Sequence, residues 1–581
     1  MDKIFAKVRE VSTKHFVKMI LYSSLVGVVS GIGAVILRWL IAFFHNLFFY
    51  GKFSLSYNSN AHFISRFGNY IIIIPVIGML IVGYITERYA KEAKGGGVSE
   101  VIDAMLRNKG RIRPIVSLIE ILVSAIGIGS GESVGEEGPI VLIGSSFGST
   151  FGQLLHLEPK DTILLVGAGA AGGLAAILNA PIAGVLFAIE LIIPEFSAQS
   201  FIPLIISSAI ATNIARIFLG AQPSFIVPHY AVISPWEYFL YFILGIVSGF
   251  VAIFFTYMHS KTEVLFDRMK MSPYIKPAIG GIVVGILGFL FLKWTGHYYI
   301  FGGGYAFISD TLTNQSIPLL VVLALIVAKI IATTFSLGSG GSGGILVPSF
   351  YVGAATGGAF GIIVHHFFPT VTALPAAYAI VGMASVTSGT TGAVLTTIVM
   401  SYELTRSYEI ILPVMLGAVM SSFIATFLYG KTVYTEPLLR KKNVLFNGKR
   451  ELNLLSMIRV NEAMIKDPIY LHPDDKVKYA KELVTKNKIG AIPVVDRDNH
   501  LMGIVRYIDI VKEDDEKKIA GFIEKIDLSI PSYATLLDAS HKMEDIGLNV
   551  LAVVDKDGHF IGVLPIARLR EIYVGKRDEL L

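Results

Sequence analysis

Long uncharged runs, rather than strict alternation, dominate the first three quarters of the chain. Met19 to Leu37 contains no charged residue and is long enough to cross the hydrocarbon core of a bilayer. Tyr70 to Thr86 is a second such run, and further apolar stretches lie near 115–130, 162–193, 199–219, 238–257, 275–293, 316–335, 345–365, 375–400 and 410–429. Several are short or split by Gly and Pro. The pattern therefore predicts more helices than clean spans, some crossing only halfway. Irregular backbone at that depth is tolerable only where it lines protein or a water-filled cavity. Near Arg440 the pattern changes: a polar linker (441–456) leads into two short units that each read helix, strand, polar turn, strand, helix. Val494-Val495-Asp496 recurs as Val553-Val554-Asp555, and Gly503-Ile504-Val505 as Gly562-Val563-Leu564, both 59 residues on, with Arg497 to His500 and Lys556 to His559 as hairpin turns.

The apolar part is also duplicated. GSGESVGEEGPIVLIGSSFGSTFG (129–152) and GSGGSGGILVPSFYVGAATGGAFG (338–361) share their punctuation at an offset of 209 residues. Gly129 falls on Gly338, Pro139 on Pro348, and Gly144, Gly148 and Gly152 on Gly353, Gly357 and Gly361. Glycines four apart share one helix face, where small residues let helices approach closely in lipid. Each Pro suits the first turn of the helix that follows the broken stretch. Gly95-Gly96-Gly97 likewise answers Gly302-Gly303-Gly304. The repeats are about 16–220 and 230–430. Broken apolar segments at matched positions point to a transporter's binding site, and their helix N-termini suit an anion.

Composition narrows the class. Hydrophobic residues make up 53% of the 581 and charged residues 16%, which places most of the chain in a membrane. The net charge of +5 argues against nucleic acid as a partner, and the lack of cysteine excludes disulfides and thiolate chemistry. No HExxH, Walker-type loop or nucleophile elbow occurs, so no catalytic or metal-binding constellation points to an enzyme. The basic N-terminus, the cluster from Arg88 to Arg113 and Arg440-Lys441-Lys442 put both chain ends in the cytoplasm by the positive-inside rule.

GEEGP (135–139), NAPIAGVLFAIE (179–190), GGILVP (343–348) and Tyr434 in KTVYTEP resemble the CLC family of chloride channels and chloride/proton exchangers, over about residues 15–440. Residues 457–512 and 525–577 resemble a CBS domain pair. The resemblance implies a mainly α, polytopic membrane protein with two inverted repeats of broken helices (1–440), followed by an α/β cytoplasmic CBS pair. It implies a homodimer embedded in membrane lipid that moves chloride or a similar monovalent anion. It implies Glu137 as the gate, a carboxylate that competes for the anion's own site until protonated. It further implies anion contacts at Gly96, Gly97, Val98, Gly138, Ile345, Leu346 and Tyr434, the first six through backbone.

The chain departs from the family pattern at several of these positions. The anion-binding serine of the first loop is Gly96, and the phenylalanine of the later one is Leu346. The basic residue before the gate is Glu136, and a usual lysine is Glu120, so both acids are expected to weaken anion binding and Glu136→Lys to strengthen it. The exchangers' internal proton-relay glutamate is replaced by Leu191. Glu190 beside it is a substitute only if it turns inward, and it reads more simply as a packing or capping carboxylate, as does Glu403. Of the ribose-binding S/T-x-x-D of CBS units only Asp509 is kept, so an adenine nucleotide is the one cofactor in question. These features favour a channel-like anion pathway regulated by the CBS pair. The alternatives are a proton-coupled exchanger and a non-conducting sensory homologue.

Overall fold

The structure, a computed structural model, describes residues 2–56, 62, 65–193, 198–225, 227–228, 230, 232–442, 458–465, 469–487, 491–524, 528–546, 548, 550–569 and 571. It divides into a helical unit, Met1–Val444, and a second unit, Leu445–Leu581. Beyond residue 442 the predicted linker lies outside the described residues.

The helical unit repeats one order of elements. α1 (Asp2–His45), α2 (Ile73–Tyr89), α3 (Val98–Arg107), α4 (Ile115–Gly129), α5 (Glu137–Leu154), α6 (Pro159–Leu178), α7 (Pro181–Phe187) and α8 (Ala198–Leu219) form the first half. α9 (Trp236–Arg268), α10 (Lys276–Thr295), α11 (Tyr305–Leu312), α12 (Leu319–Gly338), α13 (Leu346–Phe367), α14 (Pro375–Thr391), α15 (Val394–Thr405) and α16 (Ile411–Leu428) answer them, and α17 (Thr435–Lys442) follows. Among the described residues nine helices are long and apolar enough to cross a membrane. α3, α7, α11 and α15 are too short to do so, as the broken apolar runs predict.

The glycine periodicity sets how the halves pack. α5 crosses α6, and α13 crosses α14, backbone against backbone. A Cβ on Gly144 would collide with the Gly169 carbonyl, and one on Gly148 with that of Leu165. In the second half Gly353 meets the Gly382 carbonyl and Gly357 that of Tyr378. No larger side chain fits at these four crossings. Proline starts each packed partner, with Pro159 opening α6 and Pro375 opening α14.

Contacts between the halves exchange like for like. Glu190, in the π-helical turn Ala188–Ile192 that ends α7, accepts from the N–H groups of Leu395 (2.9 Å) and Thr396 (2.8 Å) at the start of α15. Glu403 of α15 accepts from the N–H groups of Ile182 (3.1 Å) and Ala183 (2.8 Å) at the start of α7. Swapping the halves swaps these contacts, which is the two-fold relation of inverted repeats. Each carboxylate satisfies helix N–H groups that have no intrahelical acceptor.

The second unit carries α18 (Val460–Ala463), α19 (Val477–Asn487), β1 (Ala491–Val495), β2 (Leu501–Arg506), α20 (Tyr507–Ile510), β3 (Ser529–Pro531), α21 (Leu536–Ile546), β4 (Val550–Val554) and β5 (Phe560–Pro565). β1 and β2 pair antiparallel, while β4 pairs parallel with β3 and antiparallel with β5. Both predicted hairpins form. In each turn an aspartate ties down the following backbone: Asp496 accepts from the His500 N–H at 2.8 Å, and Asp555 from the His559 N–H at 2.9 Å. That backbone donor holds the Asp555 carboxyl below the usual carboxylate range.

Candidate anion site

Three broken segments meet at the centre of the helical unit and satisfy one another's backbone. Gly95 N–H donates to the Gly341 carbonyl (3.0 Å), and Gly343 N–H donates to that of Gly95 (3.3 Å). Gly135 and Gly344 exchange both bonds, at 2.8 and 2.6 Å. Glycine is required where these strands touch. A Cβ on Gly97 would stand 2.6 Å from the Gly138 carbonyl, and one on Gly344 would stand 2.6 Å from the Gly138 nitrogen.

From this lacing three helices start: α3 at Val98, α5 at Glu137 and α13 at Leu346. Gly97, Glu136 and Ile345 are their N-caps, and none supplies a side-chain cap hydrogen bond. The first N–H groups of a helix have no intrahelical acceptor and carry about half a unit of positive charge together. Three uncapped N-termini converging inside a protein form a site for an anion.

Glu137 puts its carboxylate there. The side chain is buried. Oε1 accepts from the Tyr305 hydroxyl at 3.3 Å, Oε2 completes no hydrogen bond among the described residues, and a Cβ on Gly344 would lie 3.0 Å from Oε2. Tyr434 is buried just before α17, and its carbonyl accepts from the Ser99 hydroxyl of α3 at 3.1 Å. Gly96 faces open space, since a Cβ there meets no atom within 4 Å. Gly96, Gly97, Val98, Glu137, Gly138, Ile345, Leu346 and Tyr434 thus fall around one centre. A cavity of about 590 Å³, lined by Arg38, Gly135, Glu136 and Tyr305, opens beside the site, and another of about 320 Å³ opens at Ser99.

The departures from the family pattern have structural partners. Glu136 is not a bare acid, as the sequence reading assumed. Its carboxylate is ion-paired with Arg38 of α1, whose guanidinium also donates to the Ile177 carbonyl at 3.2 Å. Its charge is matched where it stands, so Glu136→Lys would set two cations side by side. Glu120 is buried, and its Oε1 accepts from Ser124 and Ser342 at 3.0 and 3.1 Å. Leu191 lies half-buried in the turn that ends α7, and the neighbouring Glu190 is engaged with α15, including the Thr396 hydroxyl at 2.5 Å. Asp509 is exposed on α20 of the second unit.

Sequence reasoning missed Tyr305, Arg38, Glu132 and Lys329. Tyr305 had a signal: it follows Gly302-Gly303-Gly304, as Val98 follows the matched triplet. Lys329 stands 209 residues after Glu120. It is buried, and its ammonium donates to the Ile300 and Gly302 carbonyls at 3.0 and 2.6 Å. Arg38 had none, because it is separated from Glu136 by 98 positions.

The comparisons with known proteins bear on the family and the fold. A family profile described as "Voltage gated chloride channel" matches residues 78–426, and one described as "CBS domain" matches 460–516 and 523–575. The "Putative chloride channel protein ClcB-like" of Ralstonia nicotianae is 31% identical over 376 residues, which are 64% of this chain and 86% of that protein. "Chloride channel protein CLC-f" of Arabidopsis thaliana is 28% identical over 536 residues, 88% of this chain and 64% of that one. The "H(+)/Cl(-) exchange transporter ClcA" of Yersinia pestis is 34% identical over 372 residues, 62% and 76% of the two chains. Among solved structures, that of a eukaryotic CLC transporter covers 95% of this chain and 98% of its own at 20% identity, with a TM-score of 0.65. That of a slow cyanobacterial Cl−/H+ antiporter covers 73% and 99% at 25% identity, with a TM-score of 0.62. With more than half of its length matched by the profile, this chain belongs to the voltage gated chloride channel (CLC) family and carries a C-terminal pair of CBS domains.

Proposed function

We propose that the helical unit passes chloride or a similar monovalent anion passively through the meeting point of α3, α5 and α13, with Glu137 as its gate. The observation that carries this reading is the buried Glu137 carboxylate among three uncapped helix N-termini. A carboxylate there occupies the place of an anion, and its protonation or withdrawal frees that place. The backbone N–H groups of Gly97, Val98, Gly138, Ile345 and Leu346, the open side of Gly96 and the Tyr434 hydroxyl are the anion's contacts. The channel reading is supported by Leu191, whose alkyl side chain passes no proton, and by Glu190, which is held by α15.

Proton-coupled exchange is the second reading. It is favoured by the relatives and solved structure named as chloride/proton exchangers and by buried acids near the site, Glu120 and Glu132. On either reading the protein is a homodimer with cytoplasmic chain ends, and its CBS pair regulates transport, with Asp509 the one ribose-binding position retained. The test is a chloride gradient across sealed liposomes with the voltage clamped by potassium and valinomycin, external pH being recorded. Chloride flux without uphill proton movement supports the channel. Proton pumping at a fixed ratio to chloride replaces it with the exchanger.

A further inference from the structure

We propose that Glu120 and Glu132 form a buried proton-binding pair behind the anion site, and that the pair takes up a proton when chloride binds. This rests on chloride being the transported anion. It places the linked proton at residues other than the gate.

Both side chains are almost fully enclosed, with 1% and 0% of their surface exposed. Glu120 Oε1 accepts from the Ser124 and Ser342 hydroxyls, which lie 2.9 Å from each other. The Ser342 N–H bears on Glu132, yet neither oxygen of that carboxylate completes a hydrogen bond, nor does Glu120 Oε2. Glu132 is pressed against Gly127 and Gly341, where a Cβ would collide with its oxygens. Among the described residues, three buried carboxylate oxygens around one serine thus complete no hydrogen bond.

Among the described residues, the cations found near the site are committed elsewhere: the partly buried Arg38 to Glu136, and the buried Lys329 to two carbonyls. A third acid, Glu100 of α3, also bears on Glu120. Two desolvated carboxylates without a cation are strongly disfavoured. A proton relieves this directly, because it removes one charge and turns an acceptor into a donor. A metal cation fits less well. Neither acid lines the cavities beside the site, and Glu132 is wedged between glycine backbones.

The pair is joined to the site by three residues. Ser342 leads through Gly343 to Gly344, whose backbone is bonded to Gly135 and lies against Glu137 and Gly138. An anion at the three N-termini adds negative charge next to the pair and favours its protonated form. Linkage is reciprocal, so protonation tightens the anion. The step breaks one O–H bond of a hydronium ion, which leaves as water, and forms one O–H bond on a carboxylate oxygen. Glu100, which lines the cavity of about 320 Å³ at Ser99, is the point of entry.

The test is calorimetric titration of chloride into the purified full-length protein at one pH, in two buffers of different ionisation enthalpy. The difference in heat counts protons taken up per chloride. It is run in the Glu137→Gln background, which removes the gate's own proton. Proton uptake that persists in Glu137→Gln and is lost on adding Glu120→Gln or Glu132→Gln establishes the pair. Uptake that vanishes with Glu137→Gln alone, or survives both added substitutions, overturns it. Chloride heat that depends on sodium, with N-methylglucamine as the control, and carries no proton also overturns it. If one added variant does not give a monodisperse protein, the other carries the test, since each removes one of the two carboxyls. Absence of any chloride heat in the unsubstituted protein sinks the chloride reading itself, whereas chloride heat without protons sinks only this inference.

Discussion

The two halves of the helical unit share a backbone and differ in charge. α5 and α13 start from the same kind of glycine lacing and cross their partners α6 and α14 through matched glycines. At the same offset of 209 residues, however, Glu120, Glu132, Glu136 and Glu137 of the first half answer Lys329, Gly341, Ile345 and Leu346 of the second. All four acids lie on one side of the duplication. The repeat supplies the helix start of α5 and α13 twice over, but a carboxylate at its first position only once. Symmetry builds the matched helix starts, and its local loss at position 137 sets a carboxylate among them.

Breaking the shared part should have the largest effect. Gly144→Leu and Gly353→Leu each force a side chain into a carbonyl of the crossing helix. Both variants are expected to yield no monodisperse protein in detergent chromatography. A well-behaved protein from either would show that the crossing can spread. Next comes the ion pair that the second half lacks. Arg38→Met strands the buried Glu136 carboxylate and should cost about 1–3 kcal/mol in thermal or denaturant unfolding, Glu136→Gln leaves a partly exposed guanidinium and should cost less, and the double variant should recover most of the loss. Equal loss in single and double variants would mean that the pair contributes nothing as a pair.

Sharpening the asymmetry is the third test. Glu137→Gln removes one carboxylate charge from the proposed anion path. At a separation of roughly 8 Å and an effective dielectric of about 20, that charge is worth about 2 kcal/mol, or roughly thirtyfold in anion occupancy. Chloride flux should rise and lose its pH dependence, while Leu346→Glu should add a second titrating group at the matched position. A pH profile that survives Glu137→Gln intact assigns gating to another residue. The smallest effect belongs to the exchanged caps. Glu190→Gln and Glu403→Gln should each cost about 1 kcal/mol and by similar amounts, read as shifts in melting temperature. A Glu190→Gln variant that keeps its stability but changes a proton-to-chloride ratio would make Glu190 a relay rather than a cap.

Much of this was legible before any coordinates. Glycine at intervals of four announced the close crossings, because only a residue without Cβ lets two backbones touch. Pro139 and Pro348 marked helix first turns, because proline lacks the N–H that such a turn leaves unpaired. The centre formed by Gly96, Glu137, Leu346 and Tyr434 followed from motifs whose order along the chain is itself a signature. The partners of the unusual acids were not legible. Nothing local to Glu136 indicates Arg38, and nothing local to Glu132 indicates Ser342.

The sequence by itself determined the apolar helices, their duplication, the change of composition near residue 440 and the positions at which helices begin, since each depends on residues close together in the chain. Only the tertiary structure decided which charges meet. It paired Glu136 with Arg38, set Lys329 on two carbonyls, crossed Glu190 and Glu403 between the halves and enclosed Glu120 with Glu132. The physical reason is one of range. Helix starts and close crossings are written in local geometry and side-chain size, whereas the state of a buried charge is set by desolvation and by whichever partner the fold brings within a few ångströms.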